Sequence, residues 1–223
     1  MGLQHPAVTR IHVCSPAKLN LFLHVTGQRP DGYHTLQTVF QLLDWGDDMT
    51  FELREHPGIT LSGDTNDIRP EDNLIMKAAC ALNQPERGAH IHITKRIPRG
   101  GGLGGGSSNA ATTLRALNTL WSLNLDQPAL LALAKPLGAD VPVFTLGQSA
   151  WAEGIGEDLS PLSLPPRWYA VIIPACEVQT AEIFGHAELT RNTTPITVAA
   201  FFSGAGCNDL QPVAMALYPE IRK

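Results

Sequence analysis

An α+β fold is predicted, on three observations. Period-two alternation dominates the first third of the chain, helical periodicity follows it, and strands and helices then interleave without the regular spacing of a doubly wound sheet. Ile11–Val13 reads as a short strand that Ser15-Pro16 interrupts. In AKLNLFLHV, Leu19, Leu21, Leu23 and Val25 share one face and read as core, while Lys18, Asn20, Phe22 and His24 share the other. Pro30-Asp31-Gly32 has the chemistry of a tight turn, from which TLQTVFQLL leaves as a second strand. Asp44-Trp45-Gly46-Asp47-Asp48 reads as another turn before the alternating MTFEL, so antiparallel hairpins are expected.

LIMKAACAL is a helix candidate preceded by Glu71-Asp72-Asn73, acidic where the helix dipole favours it. AHIHITKRI is a strand running into a glycine run. Beyond it, Ala110, Leu114, Leu117 and Trp121 recur at helical spacing, with Leu120 widening a stripe that reads as core. Asp126 suits an N-cap and Pro128 a first turn, and Pro136 with Gly138 stops that helix. GADVPVF, a short strand over 150–152, a Gly154–Gly156 turn and the strong strand WYAVII complete the order.

Composition bounds the class. A chain of 223 residues and 24.0 kDa holds one substantial domain or two intimate lobes. With 43% hydrophobic and 17% charged residues it reads as globular, and a net charge of −5 argues against a broad nucleic-acid surface. Cys14, Cys80, Cys176 and Cys207 are widely spaced and form no CxxC pair, so they read as free thiols in a reducing compartment. The N-terminus has no apolar signal region and no stretch reaches the length of a membrane helix, so a cytoplasmic protein without membrane partners is expected.

The most informative segment is Pro98–Ser108, PRGGGLGGGSS, with six glycines in eleven residues. Glycine at this density forgoes packing and lets backbone N–H groups turn toward an anion, and the helix that follows adds its N-terminus. A flexible linker is the bland alternative, but linkers rarely run straight into an amphipathic helix. A P-loop lysine is missing, since no lysine lies between Lys95 and Lys135. A GxGxxG pattern is formally present at Gly100, Gly102 and Gly105, but residues 107–125 contain no ribose-binding acid.

A nucleotide-phosphate loop served by distant residues remains. Phosphoryl transfer to an alcohol needs a carboxylate for the hydroxyl and cations for the phosphoryl charge. Asp140, held between Gly138 and Pro142, could be the carboxylate or could simply cap the next turn. Lys18 is the best cation, and pairing with Asp140 would keep that carboxylate ionised. Tyr33-His34 reads on its own as a solvated hairpin shoulder. His90 and His92 alternate on one strand face, and two histidines without a third ligand read as a solvated face rather than a metal site.

SPAKLNLFLHVTGQRPDGYHTLQTVFQLLDWGD, EDNLI, KRIPRGGGLGGGSSNAA, GADVPVF and EGIGE, in that order, resemble the GHMP superfamily of small-molecule kinases. Within it, PAKLNLFL with DGYHTLQT resembles the family of 4-diphosphocytidyl-2-C-methyl-D-erythritol kinases. The likeness runs from about Ser15 to the end of the chain. It implies a two-lobe α+β fold, with an N-terminal lobe like ribosomal protein S5 domain 2 over residues 1–160. A partial ferredoxin-like lobe would cover 161–223.

The resemblance also implies a reaction: ATP, with a divalent cation such as Mg²⁺, phosphorylates the 2-hydroxyl of a cytidine diphosphate alcohol on the non-mevalonate route to isoprenoid precursors. Lys18 and Asp140 match the catalytic pair. Pro98, Arg99, Gly100, Gly101, Gly102, Leu103, Gly104, Gly105, Gly106, Ser107 and Ser108 match the ATP-phosphate loop, with either serine the hydroxyl near phosphates and metal. Asn73 and Lys95 match positions near the nucleoside. Asn20, Tyr33 and His34 match the acceptor pocket, where the last two would sandwich or edge-bond the cytosine, and Thr180 and Phe184 match further contacts there. No side chain is assigned as a metal ligand. The family's third glycine motif is not found, since Ser203-Gly204-Ala205-Gly206 precedes NDL and reads as a loop. Without the C-terminal segment that carries this motif in the family, the second lobe would lose core and expose apolar surface, and the alternative function is a truncated, catalytically silent nucleotide-binding protein of the same fold.

Overall fold

The computed structural model describes residues 8–65 and 68–222. The first seven residues, on which the absence of a signal region partly rests, lie outside that range. In chain order the elements are β1 (Arg10–Gln28), β2 (His34–Arg54), β3 (Gly58–Gly63), α1 (Leu74–Ala81), β4 (Gly88–Thr94), α2 (Gly105–Leu120), α3 (Gln127–Ala134), α4 (Val141–Leu146), β5 (Ala150–Glu153), β6 (Asp158–Pro161), α5 (Thr180–Gly185), α6 (Val198–Phe202) and α7 (Gln211–Leu217). They form two compact units, discontinuous in sequence. One comprises the chain up to Ala17 with Asp44–Ile97 and Gly105–Leu146; the other comprises Lys18–Leu43, Pro98–Gly104 and Gly147 onward.

In the first unit β3 runs parallel to β4, and β4 runs antiparallel to the end of β2 with Met49 opposite Ile93 and Phe51 opposite Ile91. All four of these side chains are buried, as are Ala110, Leu114 and Leu117 of α2. Helix α2 packs against α1 and α4. Asn73 starts α1 as its N-cap, its Oδ1 accepting from the Ile75 amide at 2.9 Å, and Asp126 caps α3 through the Ala129 amide at 2.9 Å.

The turn expected at residues 44–48 does not form. β2 runs unbroken through LDWGDD for 21 residues. Gly46 is there for close approach: a Cβ on it would lie 2.0 Å from the carbonyl oxygen of Ser15 and 2.7 Å from Cα of Pro16. β1 likewise passes through Ser15-Pro16 without interruption, and among the described residues β2 is the one named strand that pairs with it, an edge position where the missing proline N–H is tolerated.

In the second unit β2 pairs with β5 through Val39 opposite Trp151, and β5 pairs with β6 across the expected Gly154–Gly156 turn. The alternation in β1 does not separate core from solvent, because both faces are covered. Leu23 and Val25 pack with Ile183, Leu189 and Val213. Phe22, expected on the outer face, is buried with Val39 and Trp151 and sits 5.6 Å from the ring of Phe201. Lys18 and His24 are buried too, whereas Leu19 and Leu21 are only half-buried.

WYAVII is not a strand. It is irregular, with Trp168 101% and Ile172 89% exposed, and among the described residues no strand pairs with it. High β propensity becomes a strand only where a neighbour takes the backbone hydrogen bonds. Ser203–Gly206 is a loop, as expected, following α6. Among the described residues no helix is long and apolar enough to cross a membrane.

Candidate active site

Glycine is required at three alternate positions of the Pro98–Ser108 loop. Gly100, Gly102 and Gly104 have φ of +68°, +69° and +73°, in the left-handed region that side chains avoid. The loop then enters α2 at Gly105 directly, leaving the first N–H groups of a 16-residue helix without intrahelical acceptors. Pro98 and Arg99 are exposed, as are Gly101, Gly102 and Gly106.

The tip of the loop, through Gly104, belongs to the second unit. There Leu103 buries its side chain and its carbonyl accepts from the Lys18 amide at 3.0 Å, so β1 holds the tip. The Lys18 side chain is 6% exposed; its Nζ donates to Asn20 Oδ1 at 2.7 Å and lies 5.4 Å from the centroid of the Phe40 ring. Asn20 in turn donates to the buried Thr38 hydroxyl at 2.9 Å. The ammonium is thus oriented by a relay that no sequence signal identified.

From Gly105 the loop belongs to the first unit, and a buried polar cluster fixes both its approach and its exit. Asp47, fully buried, accepts at Oδ1 from the amides of Arg96 at 2.7 Å and Ile97 at 2.8 Å. Its Oδ2 accepts from Asn109 Nδ2 at 2.9 Å and from Lys95 Nζ. Lys95 also donates to Asn109 Oδ1 at 3.0 Å, and Asn109 donates to Ser15 Oγ at 2.9 Å. Ser15 then meets Ser108 at 2.8 Å. Asp47 thus accepts from two main-chain amides, one side-chain amide and one ammonium.

The two serines that end the loop are therefore different. Ser108 is fully buried and its hydroxyl is held by Ser15, whereas Ser107 is half-buried. A Cβ on Gly138 would sit 4.0 Å from Ser107 Oγ, so the GADVP turn passes alongside the start of α2. Asp140, half-buried, is the last residue of that turn before α4. Lys18 and Asp140 fall in different units. Asn73 and Lys95 spend their side chains on a helix cap and on the Asp47 cluster.

The remaining candidate residues lie in the second unit. Tyr33 leaves the Pro30–Gly32 turn 61% exposed, and Asp31 accepts from its amide at 3.2 Å. His34 begins β2 and stacks on Phe184 of α5, with centroids 5.1 Å apart and an interplanar angle of 29°. One face of His34 is thus covered by Phe184. Thr180, the first residue of α5, is exposed. Arg191 donates to His34 Nε2 at 3.0 Å; burial first, and this guanidinium second, hold the His34 pKa below the ordinary imidazole value.

His90 and His92 lie on β4, where Thr60 Oγ1 is 2.8 Å from His90 Nδ1, and Ser62 is 3.0 Å from both rings. Among the described residues no group of three His, Cys, Asp or Glu side chains could hold a metal ion. Oxygen-bearing side chains beside the loop include Ser107 and also Glu177, whose Cγ would lie 2.4 Å from a Cβ on Gly100, and hard oxygen donors of this kind suit a divalent cation that keeps most of its ligands from phosphate.

Comparison with known proteins agrees with this architecture. Residues 73–148 match the family model described as GHMP kinases N terminal domain. The 4-diphosphocytidyl-2-C-methyl-D-erythritol kinase of Aromatoleum aromaticum is 52% identical over 218 residues, which cover 96% of this chain and 77% of that protein. The enzyme of the same name from Nitrosospira multiformis is 53% identical over 212 residues, covering 94% and 72%. A crystal structure of 4-(cytidine 5'-diphospho)-2C-methyl-D-erythritol kinase superposes with a TM-score of 0.78 at 37% identity, over 95% of this chain and 80% of that one. Homoserine kinase from Cytophaga hutchinsonii shares the fold, with a TM-score of 0.53 at 18% identity. With a predicted α+β fold, a glycine loop entering a helix and half of its residues shared with these enzymes, the chain belongs to the 4-diphosphocytidyl-2-C-methyl-D-erythritol kinase family of the GHMP kinases.

Proposed function

We propose that this chain phosphorylates the 2-hydroxyl of 4-diphosphocytidyl-2-C-methyl-D-erythritol with ATP, in the cytoplasm and on the non-mevalonate isoprenoid route. The observation that carries the reading is the loop of three left-handed glycines opening directly into α2, in a chain half identical to enzymes of that name. ATP would supply the phosphoryl group, and a divalent cation such as Mg²⁺ would disperse its charge. The loop amides of residues 100–107 hold the phosphates, and the Ser107 hydroxyl adds a donor beside them. Asp140 accepts the proton of the acceptor hydroxyl and orients its oxygen. The Lys18 ammonium, turned by Asn20, offsets negative charge on the transferring group. Tyr33, His34 and Phe184 form the seat for the cytosine, with Asn20 and Thr180 at its margin. We assign residues 1–160 to the family's ATP-binding lobe and 161–223 to its second lobe.

The test is a coupled assay with ATP and this substrate. Asp140→Ala is expected to lower kcat by about 10²–10⁴-fold while ATP binding persists, the range for loss of a positioned acid–base group. Undiminished turnover in Asp140→Ala would refute the assignment.

A further inference from the structure

We propose that Arg191 is a positioning residue that fixes His34 as the neutral tautomer with its proton on Nδ1, so that the cytosine seat offers a set hydrogen-bond donor to a base edge that accepts. The inference rests on the reading of His34 as part of the acceptor pocket and adds what selects the base. Guanidinium groups donate and never accept. Arg191 Nε meets His34 Nε2 at 3.0 Å, so that ring nitrogen must present its lone pair and the proton must sit on Nδ1.

The arginine has no freedom to do otherwise. Its Nη2 donates to the carbonyls of Phe184 at 2.9 Å and His186 at 2.8 Å, and its Nη1 donates to that of Leu189 at 3.1 Å. The same fork thus anchors the segment that carries Phe184, whose ring covers one face of His34. Ring plane, tautomer and stacking partner are set by one side chain. A second proton on His34 would put two N–H groups head to head. Burial and the Arg191 charge both disfavour that form, and Arg191 is the charged group acting on the ring.

The consequence is a preference between pyrimidines. Cytosine presents acceptors at N3 and O2, whereas uracil presents a donor at N3. A fixed Nδ1–H satisfies the first edge and opposes the second. Discrimination by one such group is on the order of 10–100-fold in kcat/KM. A freely rotating neutral histidine, able to present either its N–H or its lone pair, would give no fixed sign to that preference.

Long-range ¹H–¹⁵N spectra of the imidazoles, with His34 assigned by its loss in His34→Asn, read the tautomer directly. The native protein is expected to show a protonated Nδ1 and an unprotonated Nε2, persisting below the pH at which an ordinary histidine takes up its second proton. Arg191→Met should admit the Nε2–H form and raise the His34 pKa. It should raise KM for the cytidine substrate about 10-fold or more, with kcat changed less, and narrow the preference over the uridine counterpart. Arg191→Lys keeps a donor-only group, so it should retain the tautomer and recover part of KM. It also serves where the methionine variant does not fold. A native Nε2–H tautomer would overturn the positioning role while leaving the pocket reading intact. The stated tautomer, with KM and base preference unmoved in both variants, would overturn the recognition claim and the place of His34 in the pocket.

Discussion

Removing the Asp47 carboxylate should loosen the approach to the glycine loop more than any single change within it. Asp47→Ala deletes the acceptor of two main-chain amides, one side-chain amide and one ammonium, in a site where the native carboxylate is fully buried. The Lys95 side chain is left 18% exposed with Asn109 as its remaining hydrogen-bond partner in the cluster. Breaking a buried pair from one side costs about 3–5 kcal/mol, most of it the penalty of the stranded partner. Two unsatisfied amides keep the figure near the top of that range, since each lost bond to a charged acceptor is worth roughly 1.5–3 kcal/mol.

Lys95→Met should cost less, about 1–3 kcal/mol, because Asp47 keeps three donors. The double variant should be more stable than the sum of the single losses predicts, since neither charge is then stranded. Urea denaturation measures the global term and hydrogen exchange at the Arg96 and Ile97 amides the local one. A loss of about 3 kcal/mol should speed their exchange by roughly 100-fold, at 1.4 kcal/mol per factor of ten. Exchange accelerated less than tenfold in Asp47→Ala, with stability lowered by under about 1 kcal/mol, would refute the claim that this carboxylate organises the loop.

Two further predictions concern the loop itself. Gly102→Ala meets nothing within 4 Å, so its effect isolates backbone conformation; forcing a side chain to φ +69° costs about 1–2 kcal/mol and should raise KM for ATP with little change in melting temperature if the loop relaxes. The two serines should separate cleanly. Ser108→Ala should lower stability by about 1 kcal/mol through loss of the Ser15 contact while phosphoryl transfer persists, and Ser107→Ala should do the reverse, as thermal melts and turnover assays would show.

Much of this chain could be read before its structure. Where an element depends on neighbours in sequence, it was legible: Asp126 caps a helix, Pro30–Gly32 turns, and glycine marks the loop, because each effect acts across a few covalent bonds. Lys18 was singled out as a cation from the residues themselves, and Asn20, Tyr33 and His34 by resemblance; alternation alone put Lys18, Asn20, Phe22 and His24 on an outer face that does not exist. Long-range packing decided the rest. Gly46 looks like a turn residue and is instead the point where Ser15 and Pro16 pass too close for a side chain. Asp47 looks like part of the same turn and is the anchor of the loop, a role visible only once residues 48, 49 and 62 positions away are brought to it. Arg191 carried no motif at all, yet lies 157 residues from the histidine it orients.

Residue by residue, then, the sequence determined the cap at Asp126, the tight turn at Pro30–Gly32 and the glycine loop, since those follow from torsional preference and local hydrogen bonding. Only the tertiary structure decided which polar side chains are buried together, which of two adjacent serines is the more exposed, and that WYAVII, for all its β-branched residues, pairs with no strand among the described residues. Burial and strand pairing are properties of partners distant in the chain, and intrinsic propensity is silent about who those partners are.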